Sequence, residues 1–133
     1  MKLQRITPLL NVADVDRTSQ FYADAFGFEI IEQAGPSGSV VWARIACDGS
    51  VLMLNKHGEG SQRRLAERAD HSDIVLYIGV EDAADLHARL AQAGMNPGEL
   101  EKQEYGVMQF ALYDPDGYEL AITGPLFRTA SAA

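Results

Sequence analysis

The chain is 133 residues long, 47% apolar and 23% charged, one domain's worth of sequence with enough apolar side chains for its own core. A net charge of -8 argues against a nucleic-acid partner, whose phosphates the surface would repel, and favours a cationic small molecule. Cys47 stands alone, so no disulfide framework exists; with no signal-peptide core in MKLQRITPLL and no membrane-length apolar run, a cytoplasmic protein without membrane contact is expected.

The first strand ends at Val12, with Ile6, Leu10 and Val12 on one side and Thr7, Leu9 and Asn11 on the other. Asp14 then caps a helix whose apolar stripe is Val15, Thr18, Tyr22 and Ala25, closing near Gly27. Strand-like runs follow near 28–33, 39–46 and 51–56. The segment 57–72, HGEGSQRRLAERADHS, is polar and reads as a linker with at most a short helix in RRLAER. About 68 residues after the first unit, a second begins in the same way. Its strand ends at Val80, Asp82 is the cap, and Ala83, Leu86, Leu90 and Ala93 form the stripe before Gly94. Runs near 99–104, 107–113 and 118–124 complete it, and the tail 125–133 is expected to fray.

The pattern predicts an α+β fold in a single domain, 1–133, built from two βαβββ modules over 4–56 and 73–124. Neither module can close a core alone, so the helices are expected outside and the strands in a cupped mixed sheet. The aliphatic sets, including Ile74, Leu76, Ile78 and Val80, belong under the helices. The mixed sets are left to line a trough: Thr7, Leu9, Asp73, Val75 and Tyr77, joined by Gln109, Glu119 and Ala121. The CDGS stretch at 47–50 closes either as a two-residue Asp48-Gly49 turn or as a three-residue loop with Gly49 left-handed. The first would place Trp42 and Arg44 under a helix, where the charge is costly. The second, the expectation here, places both in the trough beside Leu52 and Leu54.

Trp42 and Tyr77 are either stacking faces for a planar ligand or ordinary packed aromatics. Asp73, Gln109 and Glu119 are ligand partners or solvated strand positions, and Arg44 can pair with one of the acids. His57, His71 and His87 are expected to be exposed and without a role. Cys47 has no base beside it in the sequence and is not expected to be a nucleophile.

Three stretches, ITPLLNVADVDRTSQFYADAFGFE, VLYIGVEDAADLHARLAQAG and FALYDPDGYELAI, resemble the vicinal oxygen chelate superfamily, which includes glyoxalase I, fosfomycin-resistance enzymes, extradiol dioxygenases and bleomycin-resistance proteins. The resemblance implies the glyoxalase/bleomycin-resistance fold and a homodimer. In the metal enzymes of the superfamily the ligand positions would fall on Thr7, Leu52, Val75 and Ala121. None of these is an imidazole or carboxylate, and three or four converging donors are what a divalent site needs. The opening pattern of Pro8, Leu9, Leu10, Asp14, Val15, Gly27, Phe28 and Glu29 is similar to the bleomycin-resistance type, acidic proteins that sequester a cationic drug. The function so implied is metal-free, cofactor-free binding of a small, cationic and aromatic compound. The alternative is a lyase-, isomerase- or dioxygenase-like enzyme of the superfamily using a non-standard site.

Overall fold

The computed structural model describes residues 1–57, 74–104 and 106–125. The chain divides into two compact units, Met1–Ala69 and Asp70–Ala133, a boundary that falls inside the 57–72 segment.

In the first unit β1 (Leu9–Val12), β2 (Glu29–Ala34), β3 (Trp42–Cys47) and β4 (Ser50–Lys56) form one sheet in the order β1-β4-β3-β2, with α1 (Val15–Phe26) after β1. β1 runs parallel to β4, and the other neighbours are antiparallel. The Asp14 carboxylate accepts the Arg17 N–H at 3.1 Å, satisfying a donor that the first helical turn leaves free. Gly27 ends the helix at φ 87, a left-handed conformation that costs glycine little. The face so fixed buries Val15, Thr18, Ser19, Tyr22 and Ala25. Beneath it lie Leu10, Val12, Ala43, Ile45, Leu52 and Leu54, all buried. Tyr22 is fully buried and meets Phe28 edge to face, the ring centroids 5.8 Å apart. Removing such a ring costs about 3–5 kcal/mol.

The β3–β4 hairpin corrects an expectation. Cys47 pairs with Ser50, so Asp48 and Gly49 alone make the turn, at φ 46 and φ 85, the doubly left-handed form that suits strand twist. The register then sets Ala43 against Leu54 and Ile45 against Leu52, all beneath α1, and Trp42 and Arg44 against Asn55 and Met53. Leu52 and Leu54 are therefore core residues, not trough lining. Ile6 and Ile74, expected under the helices, lie outside the strands and are 80% and 60% exposed. All six residues of the edge strand β2 are exposed, and its register shifts between Ile30 and Glu32.

The second unit repeats the plan. β5 (Val75–Gly79), β6 (Glu101–Lys102), β7 (Val107–Tyr113) and β8 (Glu119–Pro125) are ordered β5-β8-β7-β6, with α2 (Ala83–Gln92) after β5. Asp82 caps α2 by accepting the Asp85 N–H at 3.0 Å. At its other end the Gly94 and Met95 N–H groups reach back to the carbonyls of Ala91 and Leu90, with Gly94 at φ 76. Ala83, Leu86 and Leu90 are buried against Phe110, Leu112, Leu120 and Ile122, whereas Ala93 is exposed. Gly124 brings β8 against the start of α2: a Cβ there would lie 2.9 Å from both Ala83 N and Val80 O. The turn before β8 is organised by buried Asp114, whose carboxylate accepts the N–H groups of Asp116 and Tyr118 at 2.9 and 3.0 Å.

Candidate functional site: the helix-free sheet faces

Because side chains alternate along a strand, the register that puts one set under each helix assigns the other set to the opposite face. In the first unit this helix-free face carries Leu9 and Asn11 from β1, Met53 and Asn55 from β4, and Trp42 and Arg44 from β3. Thr7, half-buried, precedes β1 by two residues. The Arg44 guanidinium lies over the Trp42 indole, 5.3 Å from its centroid, and is ion-paired with Glu32 of β2. The stack is worth about 0.5–1 kcal/mol and the half-exposed ion pair about 0–1 kcal/mol. Together they hold the guanidinium over the indole rather than leaving it free. Asn55 Nδ2 donates to Asn11 Oδ1 at 3.4 Å, tying β4 to β1 on the same face.

In the second unit the helix-free face carries Val75, Tyr77 and Gly79 from β5, and Glu119, Ala121 and Thr123 from β8. Gln109, Ala111 and Tyr113 of β7 complete it. Tyr113 sits directly opposite Glu119 and donates its phenol O–H to Glu119 Oε1 at 3.2 Å. That bond, then the negative charge of Glu119, then partial burial push the Tyr113 phenol above its ordinary range, so it remains a donor at neutral pH. Tyr77 and Tyr113 are 70% and 54% exposed, while Ala121 in the middle of the face is buried. The accessible chemistry of this face thus lies at its Glu119 end.

Of the residues expected to line a site, Leu9, Trp42 and Arg44 share the first face, and Val75, Tyr77, Gln109, Glu119 and Ala121 share the second. Asp73 and His71 lie outside the described residues. Tyr113 and Met53 were missed, although counting by twos from Gln109 and from Asn55 reaches both. Glu32, missed as well, is found only through its pairing with Arg44.

The remaining reactive side chains have structural surroundings. His87 Nε2 donates to the Gly98 carbonyl at 2.8 Å, and its ring meets Phe110 edge-on, so it fastens α2 to the following loop instead of standing idle. His57 is buried rather than exposed, its Nε2 unpartnered among the described residues. The Cys47 thiol donates to the Phe26 carbonyl at 3.3 Å. Burial first, then the charge of Asp48, push it above the usual thiol range, which suppresses the reactive thiolate.

Two units of one helix and a four-stranded mixed sheet, each in βαβββ order, define an α+β protein of paired modules. The chain belongs to the Glyoxalase/Bleomycin resistance protein/Dioxygenase superfamily, whose family model matches residues 2–122. No curated protein matches it. Among solved structures it is similar to TioX from Micromonospora sp. ML1, with 19% identity, 92% of this chain and 99% of that one covered, and a TM-score of 0.73. A bleomycin-binding protein solved with bleomycin gives 24%, 92%, 98% and 0.68 for the same measures. The fosfomycin-resistance protein FosX from Listeria monocytogenes, solved with manganese(II) and a dihydroxypropylphosphonic acid, gives 15%, 95%, 94% and 0.71. At these identities the likeness is one of fold.

One structural neighbour, FosX, holds manganese(II), and the residues at the corresponding positions of this chain decide whether they could hold such an ion. Leu9 pairs with Met53 as Tyr77 pairs with Ala121, which makes Met53, not Leu52, the β4 counterpart of Ala121. The set is then a hydroxyl, a thioether and two aliphatic side chains, which does not fit a hard or borderline divalent ion. Among the described residues no group of three His, Cys, Asp or Glu could hold one. Among them, too, no helix is long and apolar enough to cross a membrane.

Proposed function

We propose that the chain binds a small aromatic, cationic compound and acts by sequestering it, as a cytoplasmic homodimer without metal, cofactor or a chemical step. One observation carries this reading. The ligand positions that the family resemblance implies, with β4 read by register, are Thr7, Met53, Val75 and Ala121, while the same faces carry Trp42, Tyr77 and Tyr113 as aromatic surfaces with few polar anchors. Apolar and aromatic lining with a few placed polar groups is what small-ligand sites use. The bleomycin-binding protein among the structural neighbours supports a ligand of this kind. The competing reading is an enzyme with a non-standard site, favoured by the hydrogen-bonded Tyr113–Glu119 pair and by the likeness to FosX.

Trp42 is the sole tryptophan, so its fluorescence reports on the first face directly. Titration with bleomycin and a panel of cationic aromatic compounds is expected to give a saturable change, with the compound recovered unaltered by mass spectrometry. Recovery of an altered compound would favour the enzyme, and tightly held stoichiometric metal in the purified protein would overturn the metal-free assignment.

A further inference from the structure

Resting on that small-molecule reading, we propose that the Glu119 end of the second unit's helix-free face is a subsite for an organic ammonium group, with Glu119 supplying the charge and Tyr113 and Tyr77 the aromatic walls. The register places these groups. Tyr113 of β7 is directly opposite Glu119, and Tyr77 of β5 is diagonal to it through the Val75–Glu119 and Tyr77–Ala121 pairs. Opposed positions on one face are about 5 Å apart and diagonal ones about 7–8 Å, both within reach of a phenol ring.

The electrostatics favour a cation there. Among the described residues Glu119 has no basic partner, and the Arg44–Glu32 ion pair lies in the other unit. Its fixed contact is the Tyr113 hydroxyl on one carboxylate oxygen, which holds the group in place without neutralising it and leaves lone pairs for a ligand. Glu101, in register with Gln109 on the same face, adds a second negative charge, and the chain as a whole carries -8. Exposed ring faces beside a carboxylate attract an alkylated ammonium doubly, through charge and through the ring quadrupole.

The internal duplication shows that the fold does not require this arrangement. In the first unit Ala46 pairs with Val51 as Tyr113 pairs with Glu119, and Leu9 pairs with Met53 as Tyr77 pairs with Ala121. Acid and both phenols have thus been replaced by Val51, Ala46 and Leu9 in a sheet of the same topology. The first face instead carries Arg44. The acid–phenol cluster is particular to the second unit, as a binding feature would be.

The test is titration of the full chain with phenyltrimethylammonium and with tert-butylbenzene, its uncharged isostere, followed by backbone amide NMR. The cation should shift the amides of β5, β7 and β8 around Glu119 and bind about tenfold or more tighter than the hydrocarbon. Glu119→Gln should remove most of that preference, and Tyr113→Phe, which frees the carboxylate but keeps the ring, should weaken it less. Thermal melts matching the parent protein would show that both variants fold. Equal binding of the two probes, an unchanged Glu119→Gln affinity, or shifts confined to the first unit would overturn the subsite while leaving small-molecule binding intact. Binding of neither probe, together with silence of Trp42 across the wider panel, would overturn both.

Discussion

Ser19 lies on the buried face of α1 with its hydroxyl unpartnered among the described residues. A buried hydroxyl without a partner costs free energy that an apolar replacement recovers, and alanine is also the better helix former. Ser19→Ala is therefore expected to stabilise the protein by about 1 kcal/mol, measured as a higher urea midpoint at unchanged slope. Residues of this kind were hard to read in sequence, because Ser19 falls just beside the stripe of Val15, Thr18 and Tyr22 and looks like a helix flank. Leu52 and Leu54 were misplaced for another reason. They were set beside Trp42 and Arg44 by the three-residue loop chosen to keep the Arg44 charge out from under a helix, and with a side-chain period of two an error of one residue moves every neighbour with it. Ala43, Ile45, Leu52 and Leu54 are all apolar, whereas Trp42, Arg44, Met53 and Asn55 are mixed; that contrast alone identifies the correct faces.

At the scale of elements, the caps were legible because their chemistry is local. Asp14 and Asp82 each accept an N–H three residues on, and Gly27 and Gly94 are both left-handed. The two-residue hairpin was legible too, as an Asp-Gly pair between alternating strands. It was set aside because, with Leu52 and Leu54 taken as trough lining, it would have put Arg44 under a helix, not because the turn signal was weak. Asp48 matters beyond the turn, since its charge and hydrogen bond both raise the Cys47 thiol, after burial itself. Asp48→Asn keeps a residue that tolerates positive φ and removes the charge. The thiolate should then form at lower pH, so at any fixed pH below the parent's thiol pKa, alkylation by iodoacetamide should be faster in the variant. An unchanged rate would mean that burial alone governs the thiol.

For the molecule as a whole, duplication was the most legible feature, and it led to the family. The repeat appears because the same caps, stripes and strand ends recur in sequence, whereas the site does not recur: Trp42 and Arg44 in one unit answer to Gln109 and Ala111 in the other by register. No periodicity reveals such a difference; it needs the pairing of strands. The charge of -8 also acts at this scale, since its attraction for a distant cation reaches only about 8 Å at physiological salt and further in dilute buffer. Affinity for phenyltrimethylammonium should therefore fall as salt is raised, and affinity for tert-butylbenzene should not. Parallel loss of both would assign the salt effect to folding rather than to ligand charge.

The fully exposed strand β2 has a consequence for handling the protein in solution. An edge strand with Ile30 and Ile31 at 46% and 57% exposure is a template on which a further chain could add, the first step of fibrillar aggregation. Glu29 and Glu32 and the irregular register between Ile30 and Glu32 are the devices that discourage this growth. Glu32 holds Arg44 on one side and guards the sheet edge on the other. Losing that one carboxylate would therefore free Arg44 and weaken colloidal stability together.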